Sequence, residues 1–525
     1  MKKIFFTFCI VLSFFSSEKI TAQQRYFDEV FSSVSMDSIN VKYGKNYSML
    51  TGVPALQDLK LDVYEPGGDT VAARPLIVYL HTGSFLPILY NKQPVGSRSD
   101  SASKEMCKQF ARRGYVAASI EYRLGWNPLA LGAAGQDIRT GTLLQAVYRA
   151  LQDAKTAVRY FDSLQTVYRV DMSKVVICGQ GSGGYVALAY VTLNNFGTEI
   201  AGLSTPKFIS GITDSTYDFV LGQPFVNPSI MGGFDGLGGT AGNNYPNHPG
   251  YSSAVSMAVN MGGAIGDSTW LNVGDVPMVC FHVPNDPFAP YMEGMVVVPT
   301  TGDNVVYVSG SYEVIRRADN YGNNSCFNIP YTDPYTIRAN QVNNGHEGLF
   351  PFVQPDPGIY ISPNPFHGQA APWEWYSKPA LYALGTVYGI SNASVDTIYN
   401  EGLLTNPLMN KARALAYIDS VQGYLAPRIV QALELPGWNA VSDFTDLLST
   451  LSVFPNPSSD YFTVKGRKEI ITGYSFTDIS GKMIEAKNLI HTSLFTIDCS
   501  DIVSGIYLLN VISNEGRQMI KVVVE

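Results

Sequence analysis

The chain has 525 residues, 46% hydrophobic and 15% charged, enough for a large core and two or three domains. Its formal net charge is −8 and no Lys/Arg run breaks the pattern, so a nucleic-acid or anionic-membrane partner has no electrostatic support. Aromatic residues reach 12%, which reads as core and rim packing, with a sugar- or polymer-binding surface as the other use.

The N-terminus, "MKKIFFTFCIVLSFFSSEKITAQQ", places Lys2 and Lys3 before an apolar stretch too short to span a bilayer, with Ala22 at a small-residue cleavage site. Residues 1–22 are therefore expected to be a secretory signal peptide. Cys9 lies inside the apolar stretch, which argues against a lipoprotein anchor. The mature chain keeps Cys107, Cys178, Cys280, Cys326 and Cys499, an odd and sparse set that is not a disulfide framework. Cys178 and Cys280 end apolar strand-like runs and read as buried thiols. No Cys/His cluster has metal-ligand spacing, and no cofactor is expected.

From Leu59 to about His346, strand-like and helix-like segments alternate. "RPLIVYLHTG" and "YVAASIEYRLG" read as buried strands, and "SKEMCKQFARRG" between them as a helix ending at a glycine cap. "TLLQAVYRALQDAKTAVRYF" repeats apolar residues at Val147, Leu151, Ala154, Val158 and Phe161, one face of an amphipathic helix. "KVVICG", a helix from about Gly183, "VSMAVNMGGA" and "VPMVCFHV" continue the alternation. Strands buried on both faces and separated by helices predict a mostly parallel sheet of α/β class. A Gly/Asn/Pro-rich insertion, about 210–253, is expected to be mobile, either a lid over a site or a passive loop. Closing helices are expected over about 370–435, then a linker at 436–450.

The last segment is different in kind. "LSVFPNPSSDYFTV", "SFTDISGKMIEA" and "SGIYLLNVISNEGRQMIKVVV" are short alternating strands between Gly, Pro and Asn turns, an all-β, Ig-like sandwich over 451–525. "FPNPSSDYFTV", "DISGKMI" and "SGIYLLNV" resemble the type A C-terminal sorting domain of proteins exported by type IX secretion. The resemblance implies passage through the periplasm to the cell surface or the medium, with the secretion machinery as a partner.

Residues 23–435 are expected to form one domain, which from roughly Leu59 to Glu347 resembles an α/β-hydrolase of the carboxylesterase/lipase type. "VYLHTGSF" follows a strand and is similar to the HGGG-type segment whose backbone N–H groups form an oxyanion hole, which would place Gly83 and Ser84 there. Thr82 and Ser84 stand where further glycines are usual. "VCFHVPNDPFAPY" has the form of the turn presenting a triad acid, Asp286, and "NNGHEGLF" that of the loop presenting the histidine, His346. The bland readings are an Asx-turn for Asp286 and a surface site for His346. His282, at a strand end, reads as a satisfied core histidine, and His248 and His367 have no partner visible in the sequence.

The nucleophile is the open question. In "VVICGQGSGGYVALAY" a strand runs through glycines into a helix. A nucleophile elbow wants small residues two before and two after the nucleophile. With Ser182 as nucleophile the earlier position is Gln180, which is long. With Gly181 there, the flanking positions are Gly179 and Gly183, and Ser182 falls where the next N–H completes the oxyanion hole. The second frame has the family form G-x-S-x-G-G with glycine in place of serine. The "GQGSGG" spacing is not that of a dinucleotide-binding loop. The readings carried forward are a weakly active or ligand-binding esterase-like protein, an active serine carboxylesterase using Ser182, His346 and Asp286, and a non-enzymatic cell-surface scaffold. The ligand of the first two is a small-molecule or polymer ester.

Overall fold

A computed structural model describes residues 24–91, 93–201, 206–298, 301–329, 331, 333–354, 368–435, 451–466, 470–478, 482–513 and 516–525. The expected signal peptide, His367 and the expected linker lie outside the described residues. The chain divides into two compact units, Met1–Trp438 and Asn439–Glu525.

The first unit is built on a nine-stranded sheet. Its strands are β1 (Val34–Ser35), β2 (Val41–Ser48), β3 (Ala55–Pro66), β4 (Arg74–Leu80), β5 (Val116–Ile120), β6 (Val170–Gln180), β7 (Met257–Met261) and β8 (Met278–His282). A separate hairpin follows, β9 (Glu293–Val297) and β10 (Asn304–Ser309), and β11 (Leu349–Pro351) completes the sheet. The order is β1-β3-β5-β4-β6-β7-β8-β11, with β2 also on β3. Pairing is antiparallel from β1 and β2 through β3 to β5 and parallel from β5 to β11. This is the mostly parallel sheet that the buried runs predicted.

Both faces are covered, and the side-chain period of two divides the core. Leu76, Val78 and Leu80 of β4 join Val175 and Ile177 of β6 in one cluster, against Leu151, Ala154 and Val158 of a long helix. Ile77, Tyr79, Val176 and Cys178 face the other way, with Met106, Phe110, Tyr424 and Leu425. The helices supplying these layers are α1 (Ser101–Arg113), α2 (Gln136–Ser163), α3 (Ser182–Thr192) and α4 (Ser311–Asn320), then α5 (Lys378–Val387), α6 (Asn392–Thr405) and α7 (Lys411–Ala432). Gly114 caps α1 at φ 106, as its sequence predicted.

The insertion at about 210–253 is hydrogen-bonded along α2 and β2. Gln152 of α2 donates to the carbonyls of Met231 and Gly233, and Tyr148 to that of Gly232. Asn247 exchanges bonds of 3.1 and 2.9 Å with the backbone of Lys45, and Asn46 donates to Asn244. Asparagine amides here satisfy backbone groups that no ladder reaches. His248 also has a partner, the Tyr43 carbonyl at 2.7 Å.

The second unit holds two antiparallel sheets. One joins β12 (Leu451–Phe454), β13 (Tyr461–Gly466) and β16 (Leu494–Asp498). The other joins β14 (Ile471–Asp478), β15 (Met483–Thr492), β17 (Gly505–Ser513) and β18 (Gly516–Val524). Phe462, Val464 and Ile497 of the first pack with Phe476, Leu509 and Val522 of the second in one core, a small all-β sandwich.

Candidate active site

Strand β6 ends at Gln180 in the middle of the sheet, and α3 starts at Ser182. Between them Gly181 takes φ 54 and ψ −118, a conformation that costs glycine little and an L side chain much. Its N–H donates to Met261 O at 2.8 Å, and its carbonyl accepts from Gly184 and Tyr185. Side chains on the flanking glycines would collide with backbone, at Gly179 with the Gly183 carbonyl and at Gly183 with the Leu80 carbonyl. Gly179, Gly181 and Gly183 thus stand at the spacing of the second sequence frame.

Ser182 is the first residue of α3 and only 5% exposed. Its Oγ lies 2.9 Å from the Tyr122 hydroxyl, which donates its one proton to the His81 carbonyl at 2.7 Å. Ser182 is therefore the donor to Tyr122. Among the described residues no histidine is hydrogen-bonded to it.

Asp286 follows β8 and borders the cavity at this turn. Its Oδ1 accepts the N–H groups of Phe288 at 2.7 Å and Ala289 at 3.3 Å, the Asx-turn geometry. Burial pushes its carboxyl up to about 7. His346 is not at this cavity. Its Nδ1–H donates to Asp319 of α4 at 3.1 Å, and its ring meets Tyr312 edge-on. Among the described residues no hydrogen bond joins Asp286, His346 and Ser182, the three residues of the expected relay. The physical reason is chain position. His346 precedes β11 in a turn closed by Asn343, and the adjacent Glu347 is held by Arg428. After β11 the described chain resumes at Gly368, where a side chain would collide with the Asn285 carbonyl and approach Pro287 to 2.9 Å. His282 is buried as its position predicted, with Nδ1 2.6 Å from Ser311 Oγ and Nε2 3.0 Å from Ala289 O.

The loop after β4 has three consecutive positive φ values, Gly83 at 126, Ser84 at 54 and Phe85 at 55. Its carbonyls are engaged: Leu86 N–H donates to Gly83 O at 3.0 Å and Trp126 Nε1–H to Ser84 O at 2.8 Å. Among the described residues none accepts from the N–H groups of Gly83, Ser84 or Ser182. Ser182 N–H also lies at the positive end of α3.

The cavity is about 160 Å³ and is walled by Trp126, Tyr185, Trp270, Phe288 and Trp373. Val296 and Val308 of the β9–β10 hairpin and Thr405 of α6 complete it, and no residue of the 210–253 insertion takes part. Tyr185 Oη and Trp373 Nε1 have no hydrogen-bond partner among the described residues, so two buried donors are unspent. Glu374 also borders the cavity and accepts from Gln180 Nε2, whose Oε1 in turn accepts from Tyr79 at 2.7 Å. Burial, then the charges of Asp100 and Asp286, push Glu374 up to about 8. Neither Trp373 nor Glu374 was marked by the sequence. "WEWY" signals only aromatic content, and its approach to the elbow is a tertiary fact.

Two family models match the chain. Residues 61–215 match BD-FAE, and residues 452–525 match the secretion system C-terminal sorting domain. Among solved structures, Thermogutta terrifontis esterase 2 phosphorylated by paraoxon is similar at 20% identity and TM-score 0.30, over 49% of this chain and 75% of that one. The apo form of the same esterase is similar at 18% identity and TM-score 0.29, over 49% and 76%. No curated protein sequence matches. The chain thus combines an esterase-like α/β-hydrolase unit with a type IX sorting domain that directs it to the cell surface or the extracellular space.

Proposed function

We propose that this exported protein uses the elbow cavity to bind an ester or a related acyl compound and turns it over weakly or not at all. The observation that carries this reading is Gly181, a residue with the strained backbone of an elbow and no side chain to attack with. Loss of a triad serine costs on the order of 10⁶-fold in kcat, while an oxyanion hole and binding alone leave activity above that of water. The recognition features support the reading: apolar aromatic walls, unaccepted N–H groups of Gly83, Ser84 and Ser182, and the unspent donors of Tyr185 and Trp373. In the same proposal the chain enters the periplasm through its N-terminal signal peptide, and its sorting domain engages the type IX machinery. The alternative in which Ser182 attacks, with His346 as base and Asp286 orienting it, is disfavoured by the bonds of Ser182 to Tyr122 and of His346 to Asp319.

The test uses mature protein, a fluorophosphonate probe with peptide mass spectrometry, and titration with p-nitrophenyl butyrate read by tryptophan fluorescence. Saturable quenching without a stoichiometric adduct is expected. An adduct on Ser182 that disappears in His346→Ala makes the protein a working serine hydrolase and overturns the proposal. A parallel His367→Ala variant covers the histidine next to Gly368. No adduct and no quenching in folded protein favours the scaffold reading.

A further inference from the structure

The side chain that would stand at the elbow is missing, yet its space is not empty. A Cβ built on Gly181 overlaps the Thr82 Oγ1 and stands 3.0 Å from the Thr82 Cβ. Thr82 lies two residues past the end of β4, the strand adjacent to β6. Its carbonyl accepts from His81 Nδ1 at 2.5 Å. Its side chain borders the cavity, and among the described residues its hydroxyl has no hydrogen-bond partner. Ser182, the nearest serine in sequence, has its hydroxyl committed to Tyr122. The following loop does not compete for the space: Gly83 packs against Gly96, and Ser84 is exposed.

From these positions we infer that Thr82 and Gly181 form an exchanged pair. The bulk and the hydroxyl that an elbow serine would supply come instead from the loop after the neighbouring strand, and Thr82 Oγ1 is the hydroxyl offered to the acyl oxygen of a bound ligand. Thr82 is a ligand-contacting and space-filling residue, with no bond made or broken at it. Its hydroxyl joins the N–H groups of Gly83 and Ser182 as a donor to that oxygen. A consequence is that serine cannot simply be returned to position 181. It needs the space that Thr82 fills, and a β-branched side chain does not turn out of the way without cost.

The inference rests on the ligand-binding reading for its hydroxyl half only, and the experiment separates the two halves. The steric half is read from a thermal double-mutant cycle on the full mature chain with Gly181→Ala and Thr82→Gly, which introduces no nucleophile. Backbone strain at φ 54 is common to both Gly181→Ala proteins and cancels in the cycle. The expected result is a midpoint lowered by several degrees in Gly181→Ala and recovered by at least half in the double variant. A double variant that folds when Gly181→Ala alone does not supports the pair equally. Additive losses, or failure of both proteins to fold, overturn it. The hydroxyl half is read from p-nitrophenyl butyrate titration of Thr82→Val, which keeps the volume and removes the donor. About tenfold weaker binding is expected, with Thr82→Ser restoring it. Unchanged affinity in Thr82→Val overturns this half. Absence of binding to the unsubstituted protein sinks the ligand-binding reading and this half with it, while the cycle still decides the steric half.

Discussion

Glu374 shows how one residue ties the cavity to pH. Its carboxyl is held near 8 in the folded chain by burial and by the negative charges of Asp100 and Asp286, against an ordinary value of 4.5. An acid raised by folding binds its proton in the native state while the unfolded chain has already released it. Folding stability therefore falls as pH rises from about 4.5 to about 8, and levels off above that. Replacing Glu374 by Gln keeps the acceptor for Gln180 and removes the titration. Thermal midpoints between pH 5 and pH 8 should fall less in Glu374→Gln than in the parent. Converted to folding free energy, the difference is expected to be on the order of 2 kcal/mol. Parallel curves would mean that the carboxyl is not held neutral. At this same scale the sequence could be read only where a residue's neighbours in the chain are also its neighbours in space. The small residues of the elbow and the Asx-turn of Asp286 were legible for that reason. The partner of His346 was not, since "NNGHEGLF" does not tell whether the histidine precedes or follows the strand it flanks, and Asp319 is on a separate helix.

The strand-like stretch "YVAASIEYRLG" and the amphipathic helix "TLLQAVYRALQDAKTAVRYF" meet through a fully buried ion pair. Arg123, just after β5, donates from Nε to both Asp153 oxygens at 2.9 Å, and its N–H reaches Oδ2 at 2.8 Å. The guanidinium also donates to Arg149 O and Gln152 Oε1, so α2 is fixed by its own turns to the end of β5. Tyr122, which receives the Ser182 hydroxyl, is the residue before Arg123. Removing one partner of such a pair leaves an uncompensated buried charge. Asp153→Ala is expected to lose about 3–5 kcal/mol in urea denaturation. A loss under about 1 kcal/mol would show that the pair does not hold β5 to α2. The element scale is also where the sequence was most and least informative. Strands β4 to β8 were legible because burial on both faces writes an apolar run. The bonding of the insertion was not, because Asn244 and Asn247 hold it by amide-to-backbone bonds and Asn46 by its amide to that of Asn244, and a Gly/Asn-rich composition looks the same whether those bonds form or not.

Each unit of the whole molecule has a core of its own. The first is layered on both faces of the large sheet, and the second is closed around Phe462, Phe476 and Leu509. A unit that buries its own apolar surface can fold alone, and that is what an address needs if it is to be read in the same way whatever precedes it. Residues 452–525 carry the sorting domain, so fold and export should separate cleanly. A chain ending at residue 450 is expected to keep the thermal midpoint of the larger unit within about 2 °C, since no part of its core is removed. The same chain, expressed in a cell with a working type IX system, should accumulate in the periplasm instead of reaching the surface or the medium. The two measurements guard each other. A truncated chain that is found inside the cell but has lost its midpoint would be retained because it is misfolded, which says nothing about the address. A truncated chain with an intact midpoint that still reaches the medium would show that export is read elsewhere in the chain. Retention with the midpoint preserved is the outcome that assigns export to the sandwich and leaves the elbow cavity as the business of the larger unit alone.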